Sequence, residues 1–501
     1  MNEIDKHIAK GAAWMVAFKL IDRSMGLVST VVLARLLVPA DFGLVAMAMV
    51  LIGALQLLVS FSFDVPLIQN RDAGRDQFDT AFTINCLFAA LAAALLALLA
   101  HPAALFYGEA RLELVIYLLA FGFGLQGLSN IGPVMFRKEM RFDREFKFLL
   151  AKRSASLVVT IPLAFWLQNY WALVIGQTFG TVVSVVLSYL VSDYRPRFSL
   201  RARTELFHSS KWLMINNILG FLNLRSADFL IGRWTGAPAL GLYTIAFEVA
   251  TLPTTELVAP INRAAFPGYA RVAGDLAQLR SSFLNVIATI ALFALPAGIG
   301  IILVADLMVP AVFGWRWVSM VPVMQILAAF GVVQALQTNI GYVYLATGKP
   351  RMLALTGVLQ FILLLAFIVP GIGYWDLNGA AWAFLLAGAL MIPVNQVLLS
   401  RYLQIGYLDF ATKLLRPLCA ALLMAAVVWA MRSQVAVPAQ TPAYLALLMA
   451  SIMLGALTYG AALFLLWWAA GRPAGPEDFL LRKSREGGAA LMRRLGLRAP
   501  H

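Results

Sequence analysis

The sequence predicts an all-α integral membrane protein of about fourteen transmembrane helices, and three observations carry that expectation. Of its 501 residues, 61% are hydrophobic and only 13% are charged, about half the charge density of ordinary soluble domains. The apolar residues gather into runs of about 20, a length that as α-helix crosses the roughly 30 Å hydrocarbon core of a bilayer. Lysine and arginine are segregated too: of 39, 31 fall in every second connection or at the termini, five in the other connections and three inside helices. Positive residues mark the cytoplasmic side, so both termini are expected there. Most of the formal charge of +14 then faces an anionic inner leaflet, and no nucleic-acid partner is expected.

In chain order, six runs lie near 12–38, 42–65, 79–100, 112–135, 148–167 and 171–192. Six more lie near 209–235, 240–262, 282–305, 321–345, 352–370 and 379–400, and a last pair near 412–431 and 443–470. No polar interval between them is long enough to build a soluble domain. Two basic, partly amphipathic stretches, 136–150 (FRKEMRFDREFKFLL) and 477–498, read as helices lying on the inner membrane surface. Pro162, Pro253, Pro260, Pro296, Pro322 and Pro393 fall in or near helix ends, where they permit bends.

The chain also resembles itself. Shifted by 198 residues, Trp14 falls on Trp212, Arg35 on Arg233, Gly43 on Gly241 and Leu44 on Leu242. The clearest window pairs ARLLVPADFGL (34–44) with GRWTGAPALGL (232–242). Six helices per copy is an even number, so both copies share one orientation. That implies two six-helix bundles related by a pseudo-two-fold axis along the membrane normal, an arrangement transporters use for alternating access. The expected organisation is a first bundle over 1–200, a second over 201–405, an additional helix pair over 406–470 and a basic cytoplasmic tail over 471–501.

Charges inside the apolar runs are the candidates for function, because each is costly unless it faces a cavity or a partner. The seventh run, Lys211–Trp234, holds Asn216, Asn217, Asn223, Arg225 and Asp228. On a helical wheel Asn217 and Asp228 lie about 20° apart, with Arg225 on the flank of that stripe. Two readings stand: a self-cancelling Arg225–Asp228 pair at i,i+3, or a polar wall of a transport pathway. In the first run Lys19, Asp22, Arg23, Gly26 and Thr30 share a face, and three charges in one and a half turns exceed what packing requires. Glu248 and Glu256 add acids in the eighth run. Glu248 lies near the depth of Arg225, so charge pairing and proton coupling are both open. Gln334, Gln337 and Thr338 in the tenth run share a face suited to interhelical hydrogen bonding.

Several chemistries are disfavoured. Gly348–Lys349 is followed by Pro350, so there is no phosphate-binding loop for ATP. The four histidines are scattered, and Cys86 and Cys419 sit in separate apolar runs. No metal site, disulfide, cofactor or catalytic residue is expected. The short outer connections leave little room for a glycan polymerase or ligase.

At residue level, VVLARLLVPADFGLVAMAMV (31–50) and FSFDVPLIQNRD (61–72) resemble the opening of the Wzx-type oligosaccharide flippases. These belong to the multidrug/oligosaccharidyl-lipid/polysaccharide exporter superfamily. RSADFLIGRWTGAPALGLYTIAFEVATLP (225–253) and FPGYARV (266–272) are similar to the family's midpoint, and the resemblance spans about residues 10–300. It implies a flippase of a bacterial inner membrane that turns undecaprenyl-pyrophosphate-linked oligosaccharide repeat units to the periplasmic face for lipopolysaccharide or exopolysaccharide synthesis. A polymerase and export machinery would be its partners. By position Lys19, Arg23 and Arg225, with Asn217 beside them, would line the substrate route, and arginine grips phosphate oxygens bidentately. Asp22, Asp228, Glu248 and Glu256 would serve ion coupling or charge pairing. A drug/cation antiporter of the related multidrug family is the rival transport reading. The extra helix pair and the motifs disfavour it.

Overall fold

A computed structural model describes residues 3–59, 74–201, 211–435, 441–473 and 475–478. The 61–72 motif, residues 202–210 and nearly all of the basic tail, including residues 479–498 of the expected surface stretch, lie outside these described residues. Within them the chain is helical, with no strand.

The first helices are α1 (Glu3–Leu36), α2 (Pro39–Val59), α3 (Arg75–Tyr107), α4 (Arg111–Gln126), α5 (Phe142–Leu167) and α6 (Trp171–Leu190). The helical stretch Lys211–Ala250 is broken at Gly236 (φ 82°, ψ −179°), which separates α7 (211–235) from α8 (237–250). A π turn, Pro253–Val258, and Ala259–Arg271 continue α8. Then come α9 (Leu276–Met308) and α10 (Val321–Ala346). Pro350–Leu403 is broken at Trp375 and Asp376 into α11 (350–374) and α12 (377–403), and α13 (Tyr407–Gln434) and α14 (Thr441–Ala469) close the chain. The fourteen helices match the hydropathy reading. Nine described stretches are long and apolar enough to cross a membrane, one of them α11 and α12 together. The remaining helices, α1, α4, α7 and α8, are interrupted by charge or, like α4 with 16 residues, are short.

Element ends differ from expectation for local reasons. The fourth run was expected to reach 135, but α4 stops at Gln126, where the Gly127, Leu128 and Ser129 N–H groups tighten onto the carbonyls three residues back, of Gly124, Leu125 and Gln126. The basic stretch 136–150 is not a separate surface helix. A single turn, Val134–Lys138, ends at Met140 (φ 56°), and the remainder is the first part of α5. Burial explains the change: Glu145 is buried and ion-paired to Arg137, and Phe146 packs against Trp14 of α1 with ring centroids 4.9 Å apart.

Two compact units result, Met1–Thr244 with Val312–Arg316, and Ile245–Ala311 with Trp317–His501. In the first, α3 packs on α4, α5 on α6, and α1 on α5. The α1–α2 turn is set by Pro39 and Asp41. Buried Asp41 accepts from the Val38 N–H at 3.2 Å and from the Tyr170 N–H of the α5–α6 turn at 3.1 Å, answering donors that would otherwise be unpaired at helix starts. After α6 the chain runs extended along the N-terminal end of α3. Buried Asp79 accepts from the Tyr194 hydroxyl and from the Arg197 N–H at 2.8 Å. Thr83 Oγ1 accepts from the Ser199 N–H at 2.8 Å. Burial and this carboxylate together push the Tyr194 phenol well above its ordinary pKa.

The second unit has a core cluster around Tyr269, Phe283, Ile287, Tyr344 and Leu403. Amides knit its helices. Asn339 Nδ2 donates to Asn262, and the Tyr269 hydroxyl donates to Asn339 Oδ1 at 2.9 Å. Gln337 donates to the Gly388 carbonyl at 2.9 Å and accepts from Asn395 at 2.7 Å. The glutamine and threonine face of α10 therefore serves helix association. The pair α13–α14 docks on α9, where Arg432 pairs with Asp306 and the Tyr459 hydroxyl donates to the Leu292 carbonyl at 2.8 Å. Large apolar side chains such as Trp166, Leu190 and Trp429 stay exposed, as a lipid-facing surface requires.

Candidate functional site

The first unit contains a cavity of about 630 Å³ walled by α2, α4, α6 and α7. Its position follows from small residues. A Cβ on Gly53 would lie 2.9 Å from the Phe221 ring, and one on Gly122 would lie 3.5 Å from Thr178. These two glycines leave space where leucines would fill it.

Three glutamines meet in this space, Gln56 from α2, Gln126 from α4 and Gln177 from α6, with Thr178, Thr181 and Arg225. The Gln177 amide lies 3.6 Å from the Met49 sulfur, and Thr181 Oγ1 donates to the Gln177 carbonyl at 3.2 Å. None of these glutamines stood out in the sequence, since each is a single polar residue in an apolar run. A signal was nonetheless present: each lies within four residues of a glycine, in GALQ, GFGLQG and GQT. A polar side chain beside a missing one, at membrane depth, marks a hollow.

Arg225 is the cation of the cavity. Its Nη1 donates to Asp228 Oδ2 at 3.0 Å, one helical turn away. The two partners differ sharply, since the arginine side chain is 46% exposed and the aspartate 4%. Asp228 is the buried anchor, and the guanidinium projects from it into the cavity. A guanidinium has five donors. Those not bound to Asp228 find no acceptor among the described residues of this unit. The ion pair of the first reading is present, and the same guanidinium lines the cavity.

The other charged candidates lie elsewhere. Asp22 Oδ1 sits 3.1 Å from Arg153 Nε on α5, and Gly26 leaves room for that guanidinium, whose Nη2 would lie 3.0 Å from a Cβ there. Lys19 is exposed and Arg23 half-buried on the same helix, and neither lines the cavity. Asn217 is exposed on α7, two turns before Arg225, and is also outside the lining. Glu248 is half-buried and Glu256 exposed, both in the second unit. Among the described residues no group of three or more His, Cys, Asp or Glu is placed to hold a metal. The cavity offers one fixed cation, neutral hydrogen-bonding amides and hydroxyls, and aromatic faces from Phe123 and Phe221. That set can bind an anion and hydroxyl-rich groups next to it. The cavity's described lining contains no nucleophile–base pair.

The chain is similar to known proteins in sequence and in fold. The chain is 26% identical over 425 residues to the teichuronic acid biosynthesis protein TuaB of Bacillus subtilis, covering 83% of this chain and 87% of that protein. It is 25% identical over 403 residues to the lipopolysaccharide biosynthesis protein WzxC of Escherichia coli, covering 79% and 80%. Its fold is similar to the inward closed structure of the lipid II flippase MurJ, with a TM-score of 0.70 at 13% identity, over 92% of this chain and all of that one. A family model described as "Polysaccharide biosynthesis protein" matches residues 32–322, more than half of the sequence, and the chain belongs to that family.

Proposed function

We propose that this protein is a flippase that moves undecaprenyl-pyrophosphate-linked oligosaccharide repeat units from the cytoplasmic to the periplasmic face of a bacterial inner membrane. Both termini are cytoplasmic, and a polymerase and export machinery receive the product. The observation that carries this reading is the half-exposed guanidinium of Arg225, held on buried Asp228 and open to a polar cavity. A diphosphate crossing hydrocarbon needs a positive, directional partner, and an arginine with free N–H groups supplies charge-assisted hydrogen bonds. The glutamines beside it suit the hydroxyls of the first sugar. Relatives named for teichuronic acid and lipopolysaccharide biosynthesis support a glycan cargo.

Surface polysaccharide in a deletion strain complemented with variants tests the proposal, with membrane abundance measured for each. Arg225→Ala is expected to lower export roughly tenfold or more, since hydrogen bonds to charged groups contribute about 1.5–3 kcal/mol. Arg225→Lys should keep part of the activity. The double change Arg225→Ala with Asp228→Ala should stay defective, and its full recovery would reduce Arg225 to a structural partner.

A further inference from the structure

The second unit contains a polar hollow that the cargo reading does not use. The N-terminal parts of α9 and α13, with the end of α12, flank a cavity of about 500 Å³ with two kinds of wall. Leu276, Leu284 and Leu403 form an apolar side, and Arg280, Asn285, Gln404 and Lys413 form a polar one. Arg280 is ion-paired to Asp409. Asp409 is in turn fixed by accepting the Gly406 N–H at 3.1 Å, so the guanidinium is held in place from α13. Lys413, one turn beyond Asp409 and half-buried, has no ion-pair partner among the described residues.

Charge decides what fits. Arg280 and Lys413 against Asp409 leave one uncompensated positive charge. One phosphodiester carries one negative charge and balances it. A lipid diphosphate carries at least two and would leave an excess in a half-buried site. A free phosphate would leave the leucine wall against water, whereas a lipid covers that wall with its glycerol and upper acyl carbons. Basic pockets between membrane helices at the headgroup level have this composition.

We infer that this cavity is the headgroup site of an anionic glycerophospholipid, with Lys413 as the phosphate's charge partner. The guanidinium N–H groups of Arg280 not used by Asp409, and the Asn285 amide, act as donors. The lipid bridges α9, part of the second bundle, and α13, the first helix of the additional pair, and so fastens that pair in place. The inference needs only that the chain spans a membrane, and its test is independent of what the chain transports.

The experiment uses the purified full-length protein in neutral detergent, with bound lipid counted by native mass spectrometry and melting followed by fluorescence. Phosphatidylglycerol is titrated against phosphatidylcholine, inorganic phosphate and undecaprenyl pyrophosphate. One phosphatidylglycerol per chain should be retained, with a raised melting temperature, and phosphatidylcholine should bind at least tenfold more weakly. Lys413→Gln should weaken phosphatidylglycerol binding about tenfold, Lys413→Arg should restore it, and Arg401→Gln, an exposed cation on α12, should change nothing. Retention of wild-type binding by Lys413→Gln would overturn the inference. So would equal binding of phosphatidylcholine, an equal melting shift from inorganic phosphate, or displacement of the lipid by equimolar undecaprenyl pyrophosphate.

Discussion

Gly43 and Gly241, equivalent residues of the two sequence repeats, touch backbone to backbone. A Cβ on Gly43 would lie 1.7 Å from the Ala237 carbonyl oxygen, and one on Gly241 would lie 1.8 Å from the Pro39 carbonyl oxygen. Pro39 and Ala237 are themselves equivalent at the 198-residue shift, so the contact is reciprocal. Only glycine permits this approach, because the opposing atoms are backbone and cannot swing aside. Gly43→Ala and Gly241→Ala are each expected to destabilise the protein by about 1–3 kcal/mol, the usual range for overpacking. Gly220→Ala and Gly268→Ala, where a Cβ meets nothing within 4 Å, serve as controls that leave melting in detergent unchanged or slightly raised. Equal melting of all four variants would remove the contact from the fold's determinants.

The glutamines of the cavity should matter to transport and not to folding. Gln56 and Gln126 are exposed and Gln177 is half-buried around the same hollow. Gln56→Leu, Gln126→Leu and Gln177→Leu should each reduce surface polysaccharide several-fold at normal membrane abundance. Gly53→Leu should do so more strongly by pushing Phe221 into the space. Normal export by all four would exclude this cavity from the route.

Asp79 anchors the extended segment after α6. Replacing it by alanine removes the acceptor of Tyr194 and Arg197, and a loss of about 1–3 kcal/mol is expected for each buried donor left unpaired. Trypsin should then cut after Arg197, since Pro196 protects the Arg195 bond, in the purified protein at concentrations that spare the wild type. Unchanged cleavage would show that the segment is held mainly by its Phe78 and Phe82 ring contacts.

The Asp22–Arg153 pair should contribute little to stability. Its side chains are 42% and 41% exposed, and exposed pairs contribute about 0–1 kcal/mol. Asp22→Asn should therefore leave melting nearly unchanged. A large loss of export by that variant would assign the α1 charges to transport.

Orientation is open to a direct test. Reporters fused at residues 435 and 501 should read periplasmic and cytoplasmic, given the 31-to-5 distribution of basic residues. The same side for both would break the proposed topology of the last helix pair.

Membership of a many-helix membrane class was decided by the sequence itself. Burying a backbone in hydrocarbon demands helix, and hydropathy and length record that demand locally. The fourteen helices and the Arg225–Asp228 spacing were readable for the same reason, since each depends on residues near one another. Which polar groups face one another was decided by the tertiary structure alone. Arg153, counted among loop charges, reaches Asp22 on another helix. Asp79, one acid at a helix start, holds a segment more than a hundred residues away. Gln56, Gln126 and Gln177 form one cavity only because α2, α4 and α6 are turned toward a common centre. A helical wheel supplies the angle between residues of one helix. The rotation of that helix against its neighbours is set by packing, in which glycine gaps and hydrogen bonds outweigh the hydropathy that all these helices share.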